Sequence, residues 1–209
     1  MPDEVVDKRS AAYNQDKIFI HGAKESAANA YKKQFHADFG KFLRSRSIEI
    51  KRGGSMFFIC LERTSDDPTD QDGAGILYGT DFEGARDDLV QEGLITKEKR
   101  EDFNIPLYAA SLKEFKEVVE IEGSFVINKL ELFREGIASS NHNPDNAAEA
   151  GRAFANGCRS VTNVLVAAQI GQQLSEELFS RVARGAASRA EVNQKRISIP
   201  HIVASLSLG

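Results

Sequence analysis

The sequence predicts an α/β protein carrying a helical insertion, and three observations lead there. From Lys24 to Ile50 the residues Ala28, Tyr31, Phe35, Phe39 and Phe42 recur at intervals of three and four, so they line one face of a long helix. The run Met56 to Leu61 is short, continuous and apolar, as expected of a strand buried on both faces of a largely parallel sheet. Two more strand-like runs, Phe125 to Leu132 and Ile197 to Leu206, are separated from it and from each other by helical stretches.

The elements follow in order. Residues 1 to 16 are polar and irregular, and Lys17-Ile-Phe-Ile-His21 reads as a short strand-like piece. Gly53-Gly54 stops the first helix. Residues 64 to 75, rich in Asp and holding Pro68, Gly73 and Gly75, read as a loop. Helical periodicity then runs through Leu89, Val90, Leu94 and Ile95 until Pro106 closes the segment. Ser111-x-x-Glu114 matches a capping box, with Leu112, Phe115, Val118 and Val119 on one face and Gly123 beyond the end. Asn143-Pro-Asp145 opens another helix, whose stripe of Phe154, Cys158, Val161, Leu165 and Ala168 ends near Gly171. A last helix starts at Ser175 and runs to about Ala190.

Charge and cysteine usage remove several functional classes. The 27 basic and 31 acidic residues leave a net charge of −4, and Lys/Arg never interleave with aromatics as a phosphate-tracking surface requires, so nucleic acid is not an expected partner. No apolar run approaches a membrane span, and Met1-Pro-Asp-Glu-Val-Val-Asp-Lys8 lacks the regions of a secretory signal. The expectation is a soluble cytoplasmic protein without a membrane partner. Cys60 and Cys158 read as buried free thiols, and His21, His36, His142 and His201 stand singly, without metal-ligand spacing.

The local motifs offer little chemistry. Gly73-Ala-Gly-Ile-Leu-Tyr-Gly79 follows a polar loop rather than a strand, and its third glycine is misplaced for a dinucleotide loop. Asp70-x-Asp72-Gly73 imitates a calcium loop, but the register puts Pro68 and Gly79 at two ligand positions. There is no Gly-x-Ser-x-Gly turn. Glu101, Asp102 and Asn104 supply clustered oxygen ligands, a pattern that equally serves as a solvated helix end or cap.

Longer blocks say more. Lys17-Ile-Phe-Ile20, Ala30-Tyr-x-x-Gln-Phe-x-x-Asp-Phe-x-x-Phe-Leu43, Arg46, Glu49, Glu62-Arg63, Ser65-Asp-Asp-Pro68, Asp88-Leu-Val-Gln-Glu-Gly-Leu-Ile95, Glu101 to Tyr108, Glu122 to Glu131, Arg159, Phe179 and Ser205-Leu206 stand in a specific order and spacing. In that order they resemble the C-terminal half of the plant SABATH carboxyl methyltransferases. That family methylates small acids such as salicylate, jasmonate, benzoate and indole-3-acetate, and in one branch xanthine nitrogens.

The resemblance implies the C-terminal part of a Rossmann-like class I methyltransferase sheet under a helical cap. Residues 1–209 are then part of one methyltransferase domain. Core elements fall at about 17–64, 109–135 and 197–209, cap at about 65–108 and 136–196, and the donor-binding half lies upstream of this chain. Met56–Leu61, Phe125–Leu132 and His201–Leu206 become the last three core strands. S-adenosylmethionine is the implied cofactor, with no ligand to it among these residues. By position, Leu61, Tyr78, Gly79, Cys158, Val161 and Ile199 fall where the family places acceptor-pocket residues, with Gly79 standing where it often has Trp. Glu101, Phe103 and Asn104 match a tetrad that some members are described as using for magnesium, against which stands a purely structural turn. The expected function is methyl transfer to the carboxylate of a small organic acid, with a homodimer as a further expectation. The alternative is a noncatalytic relative serving as a small-molecule binder or dimerisation partner.

Overall fold

The periodic apolar residues do build the first long helix, α1 (Glu25–Glu49), capped by Lys24 and Ile50. The computed structural model describes residues 1–134, 146–193 and 199–209. Twenty-five residues at the α-helical rise span about 37 Å, enough to reach through two packing layers. The first turns bury Ala27 and Tyr31 in one apolar cluster, while Phe35, Phe39 and Leu43 belong to a second.

The second cluster is a sheet covered by helices. Strands β1 (Ser55–Leu61), β2 (Phe125–Phe133) and β3 (His201–Leu208) lie side by side in the order β1-β3-β2. Both outer strands run antiparallel to β3, with Met56 opposite Leu206, Leu61 opposite His201, and a bulge between Ile127 and Lys129. The outer strands are therefore parallel to each other across β3. Its Ile202, Ala204 and Leu206 are fully buried beneath α1 and α5 (Leu112–Glu122).

β1 corrects the sequence reading. It is an antiparallel outer strand whose side chains alternate: Met56, Phe58 and Cys60 pack inward, while Phe57 and Ile59 are 67% and 62% exposed. A continuous apolar run identifies a strand without saying whether both faces are covered.

The capping box of α5 is present as expected, Ser111 Oγ accepting from Glu114 N at 3.2 Å and Glu114 Oε2 accepting from Ser111 N at 3.2 Å. Gly123 closes the helix at φ 78°, a left-handed cap that suits glycine. The same Glu114 carboxylate does a second job. It receives Arg63 through Nη1 at 2.8 Å and Nη2 at 2.6 Å, the Tyr108 hydroxyl at 3.0 Å and Lys32 Nζ at 3.2 Å. Arg63 is 1% exposed, lies 5.1 Å from the Tyr108 ring centroid and also donates to Ala109 O. This cluster sits where α1, the exit of β1 and the entry to α5 converge.

Helix begins earlier than the loop reading of residues 64 to 75 allows. α2 (Asp72–Gly75), a π-helical turn over Ile76–Thr80 and α3 (Asp81–Gln91) form one unbroken helix, followed by the short α4 (Lys97–Glu101). Leu94 and Ile95 lie past the end of α3, beyond Gly93 at φ 71°. α6 (Ala147–Ile170) and α7 (Gln172–Asn193) are joined at Gly171, so α7 starts three residues before the predicted Ser175. Asn143-Pro-Asp145 lies outside the described residues; Asn146 caps α6, its side chain accepting from Glu149 N at 3.1 Å.

Along α6 the buried positions are Gly151, Phe154, Ala155, Cys158, Thr162, Val166 and Ile170. The predicted stripe shares Phe154 and Cys158 with this set and then drifts outward, leaving Val161 and Leu165 58% and 42% exposed. Packing against α7 follows the four-residue ridge, and that ridge rather than the nearest apolar residue decides what is buried. At Gly151 the helices approach so closely that a methyl group would overlap Ala183 O and Ala187.

Lys17–His21 is not a strand. Ile18, Phe19 and Ile20 are fully buried in the cap cluster, with Ile18 O accepting from Ile105 N at 2.7 Å and Ile18 N donating to Glu83 at 3.0 Å. Apolar residues were drawn inside without any strand to pair with. Among the described residues no helix is long and apolar enough to cross a membrane.

Burial alone would raise the Glu114 pKa, but the Arg63 guanidinium, the Ser111 backbone donor and Lys32 outweigh it and hold the carboxyl at about 2. A group depressed in the folded state contributes stability above its unfolded pKa and loses it as pH falls towards the folded value. Urea melts should therefore show stability falling between about pH 4.5 and 2. Glu114→Gln should flatten that slope and cost roughly 3–5 kcal/mol at neutral pH by leaving Arg63 unpaired.

Candidate functional site

The exit of β1 meets the entry to β3 at one end of the sheet. Glu62 N donates to Pro200 O at 2.9 Å, and Arg63 N to Ala110 O at 3.2 Å, so the chain leaving β1 is held before it enters the cap. Thr64 donates through its backbone N and, at 2.8 Å, its hydroxyl to Asp72, whose backbone takes the left-handed φ of 47°. Between these segments opens a cleft of about 490 Å³, walled by Thr64 and Pro200 on the sheet side and by Asp70, Asp72, Gly73 and Ile76 on the cap side. His21 and Arg134 complete its lining.

The His21 ring lies on a bare helical face. A Cβ at Gly75 would overlap its Nδ1, Cγ and Cε1, and one at Gly79, a turn later, would stand 3.7 Å from its Cβ and Cδ2. Nδ1 accepts from Gln71 N at 3.1 Å, with Asp70 Oδ1 at 3.8 Å on the same side. Gln71 is itself fully buried, its amide donating to Pro68 O at 2.9 Å and accepting from Ala109 N at 2.8 Å.

Four of the six acceptor-pocket positions read from the sequence, Leu61, Tyr78, Cys158 and Ile199, lie in or against the cap cluster. Tyr78 is 2% exposed and meets Phe19 edge-on at 5.8 Å, and burial pushes its hydroxyl pKa upward. Cys158 is fully buried, its Sγ 3.8 Å from Thr162 Oγ1, and burial pushes its thiol up to about 12. Gly79 is buried beside His21 on the π-helical turn, a feature often found at functional sites. Val161 faces away from both clusters. None of the six lines the cleft directly, although Ile199 precedes Pro200 and Leu61 lies three residues before Thr64.

Sequence reasoning missed His21, Gln71, Asp70, Asp72, Arg134 and Pro200. One signal was available: Gly75 and Gly79 stand four apart, a helical face without side chains. Assigning residues up to 75 to a loop concealed it.

The magnesium tetrad does not fit a metal. Glu101 is engaged by Lys8 and Lys97, each at 3.6 Å. Phe103 is buried between the Phe82 ring at 6.2 Å and the Arg86 guanidinium at 4.5 Å, and Asn104 Oδ1 accepts from Asn14 Nδ2 at 2.8 Å. Among the described residues no three His, Cys, Asp or Glu side chains are placed to hold a metal ion. Nor do the cleft carboxylates fit a methyl donor: Asp72 is taken up by Thr64, and Asp70 accepts from Asp72 N at 3.1 Å. No donor contact is assigned to these residues.

Two outcomes follow from this geometry. Burial raises the pKa of both thiols, so iodoacetamide at pH 8 should leave Cys158 unmodified in the native protein and label half-buried Cys60 slowly, as peptide mass spectrometry would show. Millimolar magnesium or EDTA should leave the melting temperature unchanged, because a cation bound only by the folded state would raise it.

Comparison with known proteins bears on the whole chain. A family model described as SAM dependent carboxyl methyltransferase matches residues 1–208. Indole-3-acetate O-methyltransferase 1 of Arabidopsis thaliana is 56% identical over 207 residues, covering 99% of this chain and 54% of that protein. Its Oryza sativa namesake is 52% identical over 208 residues, covering 100% of this chain and 52% of that protein. The salicylate/benzoate carboxyl methyltransferase of Arabidopsis thaliana is 35% identical over 184 residues, covering 87% of this chain and 48% of that protein. The chain thus spans about half the length of the curated relatives it matches. A solved structure of loganic acid methyltransferase with SAH superimposes with a TM-score of 0.84 at 23% identity, covering 99% of this chain and 57% of that one, which shows the fold. With the three strands adjacent in one sheet and the family model running from the first residue to the penultimate one, the chain belongs to the SAM-dependent carboxyl methyltransferase family.

Proposed function

We propose that this chain is the acceptor-binding and cap portion of an enzyme that methylates the carboxylate of indole-3-acetate. The observation that carries the reading is that two relatives more than 50% identical to it over nearly its whole length are both named indole-3-acetate O-methyltransferase 1.

The absence of an obvious catalytic set suits such chemistry. A free carboxylic acid with a pKa of about 4 to 5 is ionised at neutral pH, so its oxygen is already a nucleophile and no general base is required. When bound, S-adenosylmethionine supplies an electrophilic methyl group. What remains for the protein is to orient the acid and keep water away. The cap cluster, with Tyr78, Cys158 and Ile199 in or against it, provides apolar walls. The cleft at the exit of β1 and the entry to β3 provides the opening towards which an acid would enter.

The test is a competition assay. The enzyme that contains this portion is incubated with S-adenosylmethionine and equal amounts of indole-3-acetate, benzoate, salicylate and jasmonate, and esters are quantified by mass spectrometry. Methyl indole-3-acetate should dominate, and its rate should be flat above about pH 6, since the acceptor is already ionised there. Preferential esterification of another acid would reject the substrate, and no ester from any acid would reject the activity.

A further inference from the structure

We infer that His21 is the hydrogen-bond donor presented by the cleft to the carboxylate of its acceptor, and thereby a substrate-selecting residue. The inference rests on the acid-binding reading above. Its basis is the way the imidazole is held.

A neutral imidazole has one donor and one acceptor nitrogen, and the bond made by one nitrogen decides the role of the other. Here Nδ1 accepts from the Gln71 backbone N–H at 3.1 Å, which places the ring proton on Nε2. The Gln71 donor cannot easily drift, because its fully buried side chain is tied to Pro68 O and Ala109 N. Asp70 Oδ1 stands 3.8 Å from Nδ1, beyond hydrogen-bond distance, and accepts instead from Asp72 N at 3.1 Å.

The ring plane is restrained as well. Gly75 lies so close that no larger residue could stand there without moving the imidazole, and Gly79 flanks the Cδ2 edge at ordinary contact distance. The hydrogen bond and the ion-pair contact of the imidazole among the described residues are both at Nδ1, and the side chain is 34% exposed and lines the cleft. A donor with fixed direction and an apolar cluster beside it suits a ligand oxygen that carries charge and is attached to an apolar body.

The experiment pairs two near-isosteric variants. Gln at position 21 can place its amide nitrogen near the Nε2 position, whereas Asn reaches only as far as Nδ1. Calorimetric titration with indole-3-acetate should show His21→Gln within a few fold of the parent and His21→Asn weaker by roughly tenfold or more, the loss expected for a bond to a charged acceptor. Melting temperatures of the two variants should agree. Nitrogen-15 spectra of the ligand-free protein should show a protonated Nε2 on His21, with its resonance moving on titration. Equal affinity for parent and His21→Asn, or a protonated Nδ1, would overturn the assignment while leaving acid binding intact. A parent protein that takes up no acid, its Nε2–H tautomer notwithstanding, would overturn the underlying reading and with it the ligand role of His21.

Discussion

The buried pair of Arg63 and Glu114 is the constraint on which the arrangement depends. An arginine 1% exposed to solvent is tolerable only with a nearly complete set of acceptors. Glu114 supplies both oxygens, Ala109 O takes a further proton, and the Tyr108 ring covers the guanidinium face. Meeting those demands brings the segment after β1, the first turn of α5 and, through Lys32, the second turn of α1 to one point. The seam between sheet and cap is thereby set by hydrogen-bond geometry, which is directional, rather than by apolar contact, which is not.

From that point α1 extends both ways. One end packs Tyr31 into the cap cluster, its hydroxyl donating to Ile105 O at 3.1 Å; the other places Phe39 against Phe58 and Phe115 over the sheet. A single stiff helix shared by two apolar clusters keeps their separation nearly constant, and the cleft lies in that separation. On the far side of the cap, Asp81 and Arg189 form an ion pair that ties α3 to α7, and Arg181 clasps Glu92 with two bonds of 2.7 Å.

The candidate site was only partly legible in the residues. Leu61, Tyr78, Cys158 and Ile199 were read by position within a recognisable pattern, and they lie in or against one apolar cluster without lining the cleft. Val161 was read by the same logic and faces outward, because a stripe of apolar residues on α6 does not reveal which ridge meets α7. His21 was passed over since a lone histidine carries no spacing. Its setting comes from Gln71, fifty residues away, and from two glycines of a helix that begins inside what looked like a loop. Glu101, Phe103 and Asn104 formed a plausible ligand set in one dimension, and in three each one had already been claimed by Lys8, Arg86 or Asn14.

By itself the sequence determined what depends on neighbours within a few positions. The extent of α1, the capping box and left-handed glycine of α5, and the existence of three strands follow from periodicity, side-chain caps and backbone preference. Tertiary structure alone decided which faces were covered and which polar groups were shared: the one-sided burial of β1, the strandless burial of Ile18–Ile20, and the second use of Glu114 as the partner of Arg63. These outcomes depend on residues tens of positions apart competing for the same space and the same protons. No local pattern encodes the result of that competition.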